Sequence, residues 1–359
     1  MNEKTHIVVG LSGGVDSAVT ALLLKQKGYQ VTGIFMQNWE ADQSDPYCTA
    51  EQDLSDARAV ADRLAIPFYT INFSKEYWDN VFDYCLREFE AGRTPNPDIW
   101  CNKEIKFKVF LEHALNLGAD LLATGHYARI KKIGAQFQLL KGIDNTKDQS
   151  YFLYTLGQYE LQHSIFPLGE LEKHEVRRIA EKAGLINYNK KDSTGICFIG
   201  ERNFKNFLKE YLLGKPGDIV DEHGVKIGSH DGLMFYTLGQ RKGLNIGGVK
   251  GGDDAAWYLA KKDFENNTLI AVQGFNHPLM MSSTLNCNQA DWVSGEAPKL
   301  PLTCFAKTRY HQKEQACKII SGNDGVFVVE FEEPQRAITP GQSIVFYSGD
   351  TCLGGAIIN

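Results

Sequence analysis

A short apolar run, His-Ile-Val-Val-Gly at 6–10, leads directly into Leu-Ser-Gly-Gly-Val-Asp-Ser at 11–17 and on into a helical stretch that ends near Lys27. A strand that turns through glycines into a helix is the opening unit of a parallel α/β sheet. The following segments keep the alternation: 31–36 reads as a strand, 51–64 as a helix, and 67–73 and 121–124 as further strands. The pattern predicts a doubly wound parallel sheet, with ligands outside the carboxyl ends of its strands.

Further along, 170–184 reads as one charged amphipathic helix stopped by Gly184. After about Gly200 glycine, valine and isoleucine become frequent, and Lys215-Pro216 marks a turn. From Asn276 onward short alternating runs, such as 325–331 and 343–346, predict antiparallel strands separated by Pro334 and by Pro340-Gly341. The expected division is an α/β nucleotide-binding part over 1–203, a small mixed or β-rich part over 204–275, and a C-terminal β-barrel over 276–359.

With 359 residues, 43% of them hydrophobic, the chain can bury a large core. No run of eighteen apolar residues is present, and the polar start 1–6 does not read as a signal peptide, so a cytoplasmic protein without a membrane anchor is expected. Eight cysteines at irregular spacing, with no Cys-x-x-Cys pair, fit neither a disulfide scaffold nor a structural zinc site. A net charge of −6 argues against a wholly basic nucleic-acid binder and leaves room for local basic grooves.

The loop carries the clearest chemistry. Gly13 and Gly14 let the backbone approach a phosphate, successive N–H groups at a helix N-terminus form an anion nest, and Ser12 and Ser17 add hydroxyls. The Gly-Lys-Ser/Thr ending of a kinase-type phosphate loop is absent, which disfavours transfer of a γ-phosphate. Asp16 belongs beside phosphates only if it orients the loop or helps to hold a cation. Without a ligand the same residues would form a glycine-rich helix cap.

Two cysteines stand in distinctive segments. Cys101 follows Pro95-Asn96-Pro97-Asp98-Ile99-Trp100, and a helix is expected to begin near Asn102. A thiol at a helix N-terminus, with Lys103 and Lys106 nearby, is expected to have a lowered pKa, and Asp98 is close enough in sequence for acid–base work. Cys197 lies between Gly195 and Gly200, which would let its segment move. Taken alone, each fits a small core residue. The six others read as structural.

Ser-Gly-Gly-Val-Asp-Ser resembles the pyrophosphate-binding loop of the ATP pyrophosphatase superfamily. The segments at 92–98, 101–107, 123–127, 147–153, 195–202 and 339–342 extend the likeness over nearly the whole chain. They are similar to the bacterial tRNA-specific 2-thiouridylase family (MnmA type), with Trp100 bulkier than expected. The resemblance implies an ATP-dependent enzyme that adenylates O2 of the wobble uridine in tRNA, releases pyrophosphate, and replaces AMP with sulfur. It implies ATP with Mg2+ as the cofactor and no resident metal. Gly10, Leu11, Ser12, Gly13, Gly14, Val15, Asp16, Ser17, Met36 and Gly125 would form the ATP site. Cys197 would carry a persulfide and Cys101 would act as nucleophile, the pair passing through a disulfide, with Asp98 as acid or base. Asn96, Pro97 and Asp98 would meet the target base, and His126, Lys147, Asp148, Gln149, Arg309, Tyr310 and Gln342 would contact tRNA. The partners implied are tRNAs of the lysine, glutamate and glutamine sets and a persulfide carrier protein. The competing readings are a small-molecule adenylating ligase or amidating synthetase with inert cysteines, and an RNA-binding protein with a decayed site.

Overall fold

The computed structural model describes residues 5–39, 50–192, 204–246, 255–321 and 325–359. The first sheet contains β1 (His6–Gly10), β2 (Gln30–Gln37), β3 (Phe68–Asn72), β4 (Leu121–Ala123) and β7 (Ser164–Ile165), in the order β3-β2-β1-β4-β7. All four pairings are parallel. Side chains alternate across a strand, so Ile7 and Val9 pack on one face with helices α1 (Val15–Gln26) and α2 (Ala50–Leu64). Val8 and Ile34 pack on the other, against the layer that contains Cys101. The order reverses between β1 and β4, and the loops leaving these two strands face one crevice.

Two long helical runs build the Cys101 layer. The first, α3, comprises Ser74–Tyr77, π-helical Trp78–Phe82 and Asp83–Glu90. The second, α4, comprises Pro97–Trp100, π-helical Cys101–Val109 and Phe110–Asn116. It begins at Pro97 rather than near Asn102, because Asn96 Oδ1 accepts from the backbone N–H groups of Asp98 (3.1 Å) and Ile99 (3.3 Å) and proline suits the first helical position. Three shorter helices follow: α5 (Gln158–Gln162) just before β7, and α6 (Lys173–Lys182) and α7 (Phe204–Leu208) between β7 and the second sheet. Helix α6 is shorter than the predicted 170–184: Glu172 caps it, and the Glu175 carboxylate accepts from the Glu172 N–H (3.3 Å).

The second sheet is four-stranded, in the order β10 (Trp257–Asp263), β11 (Thr268–Gln273), β8 (Gly217–Val220), β9 (Lys226–His230). The third is built from β12 (Met281–Trp292), β13 (Leu302–Lys307), β14 (Gln315–Ser321), β15 (Phe327–Arg336), β16 (Ser343–Ser348) and β17 (Thr351–Ile358). Antiparallel pairing in the order β12-β15-β14-β13-β16-β17, closed by β17 on β12, makes the expected barrel. Pro334 does not separate two strands: it lies inside β15, where the pairing with β12 shifts register between Ser282 and Thr284. Proline is tolerated in a strand at such an irregularity.

One pairing crosses the expected division. A hairpin of β5 (Ala128–Ile133) and β6 (Gln136–Lys141) extends the barrel sheet, with Leu140 opposite Thr351 and Leu139 opposite Cys352. It turns at Gly134, whose φ of +63° favours glycine. Among the described residues no helix is long and apolar enough to cross a membrane.

Candidate active site

The loop after β1 is held from every side. Gly13 has φ +77°, and a Cβ there would lie 2.3 Å from the Asp53 carbonyl oxygen, so only glycine lets α2 close on the loop. Leu11 and Val15 are buried and leave only their backbone for a ligand. Gly14 caps α1 without a side-chain bond, so the first N–H groups of a twelve-residue helix point to the crevice. The Ser17 hydroxyl donates to the Gly14 carbonyl (3.0 Å) and accepts from the Ser12 N–H (3.1 Å), which fixes the turn while Ser12 stays exposed. Gly125, leaving β4, packs on this first turn: a Cβ would come within 3.0 Å of Asp16 and Ser17.

Four carboxylates and four cations surround the loop. Lys173 Nζ lies 2.7 Å from both oxygens of Asp16 and 2.9 Å from Asp192, and the Tyr127 hydroxyl donates to Asp16 (2.7 Å). Asp192 also meets Lys147 (2.6 Å) and Arg177 (2.8 Å). Burial alone would raise its carboxyl, but the bonds from Lys147 and Lys173 override this and draw it down to about 2. On the other side Lys190 pairs with Asp53 (2.7 Å) and Asp56 and donates to the Gly13 carbonyl (3.3 Å), as does the buried Asn187 amide (2.9 Å). Phosphate needs cations and free N–H groups at a helix start, and both are present here. The residues therefore fit a nucleotide. Among the described residues no group of three His, Cys, Asp or Glu is placed to hold a metal ion.

Cys101 opens the π-helical part of α4, the kind of irregularity found often at functional sites. It is fully buried among Ile99, Ile105, Phe107 and Phe110. Because α4 starts at Pro97, the thiol stands in the second turn and not at the amide end, where the sequence placed it. Lys103 turns to Asp291 of β12 (2.9 Å) and to the Trp100 ring (5.3 Å), and Lys106 acts on His126. Asp98 is half-buried one turn before the thiol.

Three family models match the chain in succession: a tRNA methyl transferase HUP domain over 5–201, a tRNA methyl transferase PRC-barrel domain over 205–273, and an aminomethyltransferase beta-barrel domain over 282–358. The tRNA-specific 2-thiouridylase MnmA of Francisella philomiragia is 59% identical over 357 residues, 99% of each chain. That of Francisella tularensis subsp. novicida is 58% identical over the same share. The chain belongs to the tRNA-specific 2-thiouridylase family. A solved NMN synthetase from Francisella tularensis is 20% identical, covering 53% of this chain and 67% of its own, with a TM-score of 0.35.

The positions that the family resemblance singled out are not scattered. Met36 lies near the end of β2, half-buried against the Cys101 layer. Thr94 and Pro95 receive the Gln342 amide from the barrel (2.8 and 3.4 Å), and the Thr94 N–H donates to the Pro340 carbonyl (2.8 Å). Arg309 Nη2 donates to the Leu238 and Ala337 carbonyls (both 2.9 Å) and to Thr339 Oγ1 (3.1 Å). Tyr310 packs on Phe152, ring centroids 4.4 Å apart, and reaches the Lys147 carbonyl (3.5 Å). Gln149 accepts from the Tyr127 N–H (3.0 Å), and buried Asp148 accepts from Gly142 and Ser150 (both N–H 3.1 Å). His126 is buried between Phe107 and Phe166 with Nδ1 2.7 Å from Thr124 Oγ1; burial, with Lys106 close by, holds its pKa well below 6.5, so it is neutral at pH 7. Arg309, Tyr310 and Gln342 thus reach from the barrel to the other two parts, whereas the contacts of His126 and Gln149 lie within the α/β part. Cys197 and its segment lie outside the described residues.

Sequence reasoning missed Lys173, Lys190, Asp192 and Asn187. One signal was available: Lys173 is the first residue of α6, where the helix dipole disfavours a cation, so an acidic partner had to be nearby. Asn38 was missed as well. It follows β2, is fully buried, and has neither amide atom hydrogen-bonded.

Proposed function

We propose that the protein thiolates the wobble uridine of tRNA at C2, spending one ATP per sulfur. The observation that carries this reading is full-length similarity to 2-thiouridylases combined with a phosphate-ready loop beside the Cys101 layer. The full-length relatives outweigh the methyl transferase wording of the domain models, which cover the chain piecewise.

The crevice between β1 and β4 takes ATP. Lys173 and Lys190, now neutralised by carboxylates, supply charge to the phosphates, and the N–H groups opening α1 bind the pyrophosphate that leaves. Attack of uridine O2 on the α-phosphorus breaks the α–β bond and makes AMP a leaving group. A terminal persulfide sulfur on Cys197 then attacks C2 and expels AMP. The Cys101 thiolate attacks Cys197 Sγ, which forms a Cys101–Cys197 disulfide and leaves the sulfur on C2; two equivalents of an external thiol, oxidised to their own disulfide, restore both cysteines. Asp98 moves the proton. A carrier protein delivers the persulfide, and the barrel, 276–359, joins the base-contacting segment 96–98 in holding tRNA of the lysine, glutamate and glutamine sets. The base leaves the anticodon stack to reach a buried thiol.

Incubation with tRNA, ATP–magnesium and a verified persulfide donor, followed by nucleoside mass spectrometry, tests the reading. The expected product is 2-thiouridine at the wobble position with stoichiometric AMP. AMP formed with a small molecule instead of tRNA would favour the ligase reading.

A further inference from the structure

We propose that Arg336 and Arg309, converging over Gly239, form a clamp for a backbone phosphate of the RNA substrate, with Arg241 and Lys242 extending it. The inference rests on the tRNA reading above, in which the family resemblance already gives Arg309 to tRNA, and adds Arg336, Arg241 and Lys242 and the phosphate as their ligand.

Gly239 has φ +78°, and a Cβ built on it would stand 3.0 Å from Arg336 Nη1 and 3.4 Å from Arg309 Nη2. Two guanidinium groups therefore meet over a residue without a side chain. Neither has a carboxylate partner among the described residues: Arg309 donates to carbonyls and a hydroxyl, and Arg336 to the Phe275 carbonyl (2.8 Å) and the Met280 sulfur (3.7 Å). Around the nucleotide loop, by contrast, the inward cations Lys147, Lys173, Arg177 and Lys190 are each paired with acids. Burial, and for Arg309 also the nearby Arg336, holds both arginines below their usual pKa, the sign of positive charge without an anion.

Packing prepares Arg336 for this work. Its guanidinium lies 4.0 Å from the Phe275 ring and 4.8 Å from the Tyr258 ring, which fixes its plane and lowers the entropy lost on forming a forked contact. Arg241 and Lys242, on the same loop as Gly239, are exposed and also have no carboxylate partner among the described residues. Location decides the ligand. Thr237 Oγ1 of this loop lies 3.3 Å from Thr94 Oγ1, and Thr94 begins the strip that runs through Asn96 to Cys101. A phosphate at the clamp is thus joined directly to the segment proposed to meet the target base.

Equilibrium binding of an unmodified tRNA transcript to the full-length chain, measured over a salt series, tests the clamp. Arg336→Gln and Arg241→Gln are each expected to weaken binding several-fold and to reduce the slope of log K against log salt by about 1. Arg241 is exposed, so its variant is expected to keep the thermal midpoint even if Arg336→Gln lowers it. Unchanged affinity and slope in both variants would overturn the proposal, as would weaker binding with an unchanged slope. Variants that bind tRNA normally but lose binding of inorganic phosphate would reassign the cluster to a free anion. If the wild-type chain itself binds no tRNA, the functional reading fails first, which separates the two failures.

Discussion

Replacing Lys173 by methionine removes the cation that Asp16 and Asp192 share. Only 11% of the Lys173 side chain is exposed, and it lies within 2.9 Å of both carboxylates. The Asp192 carboxyl, drawn from 3.8 to about 2 against the opposing effect of burial, corresponds to about 2.4 kcal/mol of stability. Its side chain is 31% exposed, and Lys147 and Arg177 remain after the substitution, so solvent screening and the surviving partners leave about 1 kcal/mol for Lys173. The native carboxyl lies below its unfolded value, so this stability is complete above about pH 4 and disappears as pH falls through about 2. Urea unfolding of both proteins is expected to show a gap of about 1 kcal/mol at pH 7 that narrows steadily below pH 4. A gap of the same size at pH 7 and pH 2.5 would refute the electrostatic account. It would assign the loss to the lysine stem, whose ammonium lies 5.6 Å from the Tyr127 ring.

Gly13→Ala is expected to abolish ATP-dependent pyrophosphate release, because the left-handed backbone costs an alanine about 1–2 kcal/mol and its Cβ meets the Asp53 carbonyl; a pyrophosphate assay reads this directly. Cys197→Ser is expected to prevent persulfide loading by intact-mass analysis, while Cys101→Ser loads normally and yields no 2-thiouridine. Full turnover by both variants would discard the two-thiol route. Asn38→Leu removes a buried amide with no partner and is expected to hold or raise stability by about 1 kcal/mol in urea unfolding. A loss above about 2 kcal/mol would mean that shape, not the polar atoms, sets that position.

The features legible in the sequence were those built from neighbouring residues. The loop after β1 could be read because its strand, glycines and helix are contiguous, and the barrel because alternation and turn residues are local signals. The start of α4 was misplaced because Pro95 and Pro97 read as holding the chain extended, whereas Pro97 takes the first helical position behind the Asn96 cap. Pro334 was misread because a proline at a bulge inside a strand looks, in sequence, like a proline that ends one: β15 takes five steps from Glu330 to Gln335 where β12 takes two from Ser282 to Thr284. Lys173 and Lys190 meet the loop across more than 150 positions, and no local pattern reports such a distance.

The β5–β6 hairpin makes the α/β part unable to stand alone. The chain leaves the first sheet after β4, adds two strands to the barrel and only then returns to β7. A fragment cut at the 203/204 boundary would keep the hairpin but lose β17, baring the backbone of Leu139 and Leu140 and the Leu139 side chain that is now fully buried. An unpaired apolar edge of this kind recruits other strands and aggregates. The barrel therefore cannot be exchanged for another module by joining genes at 203/204; any working chimaera must carry the hairpin across with it.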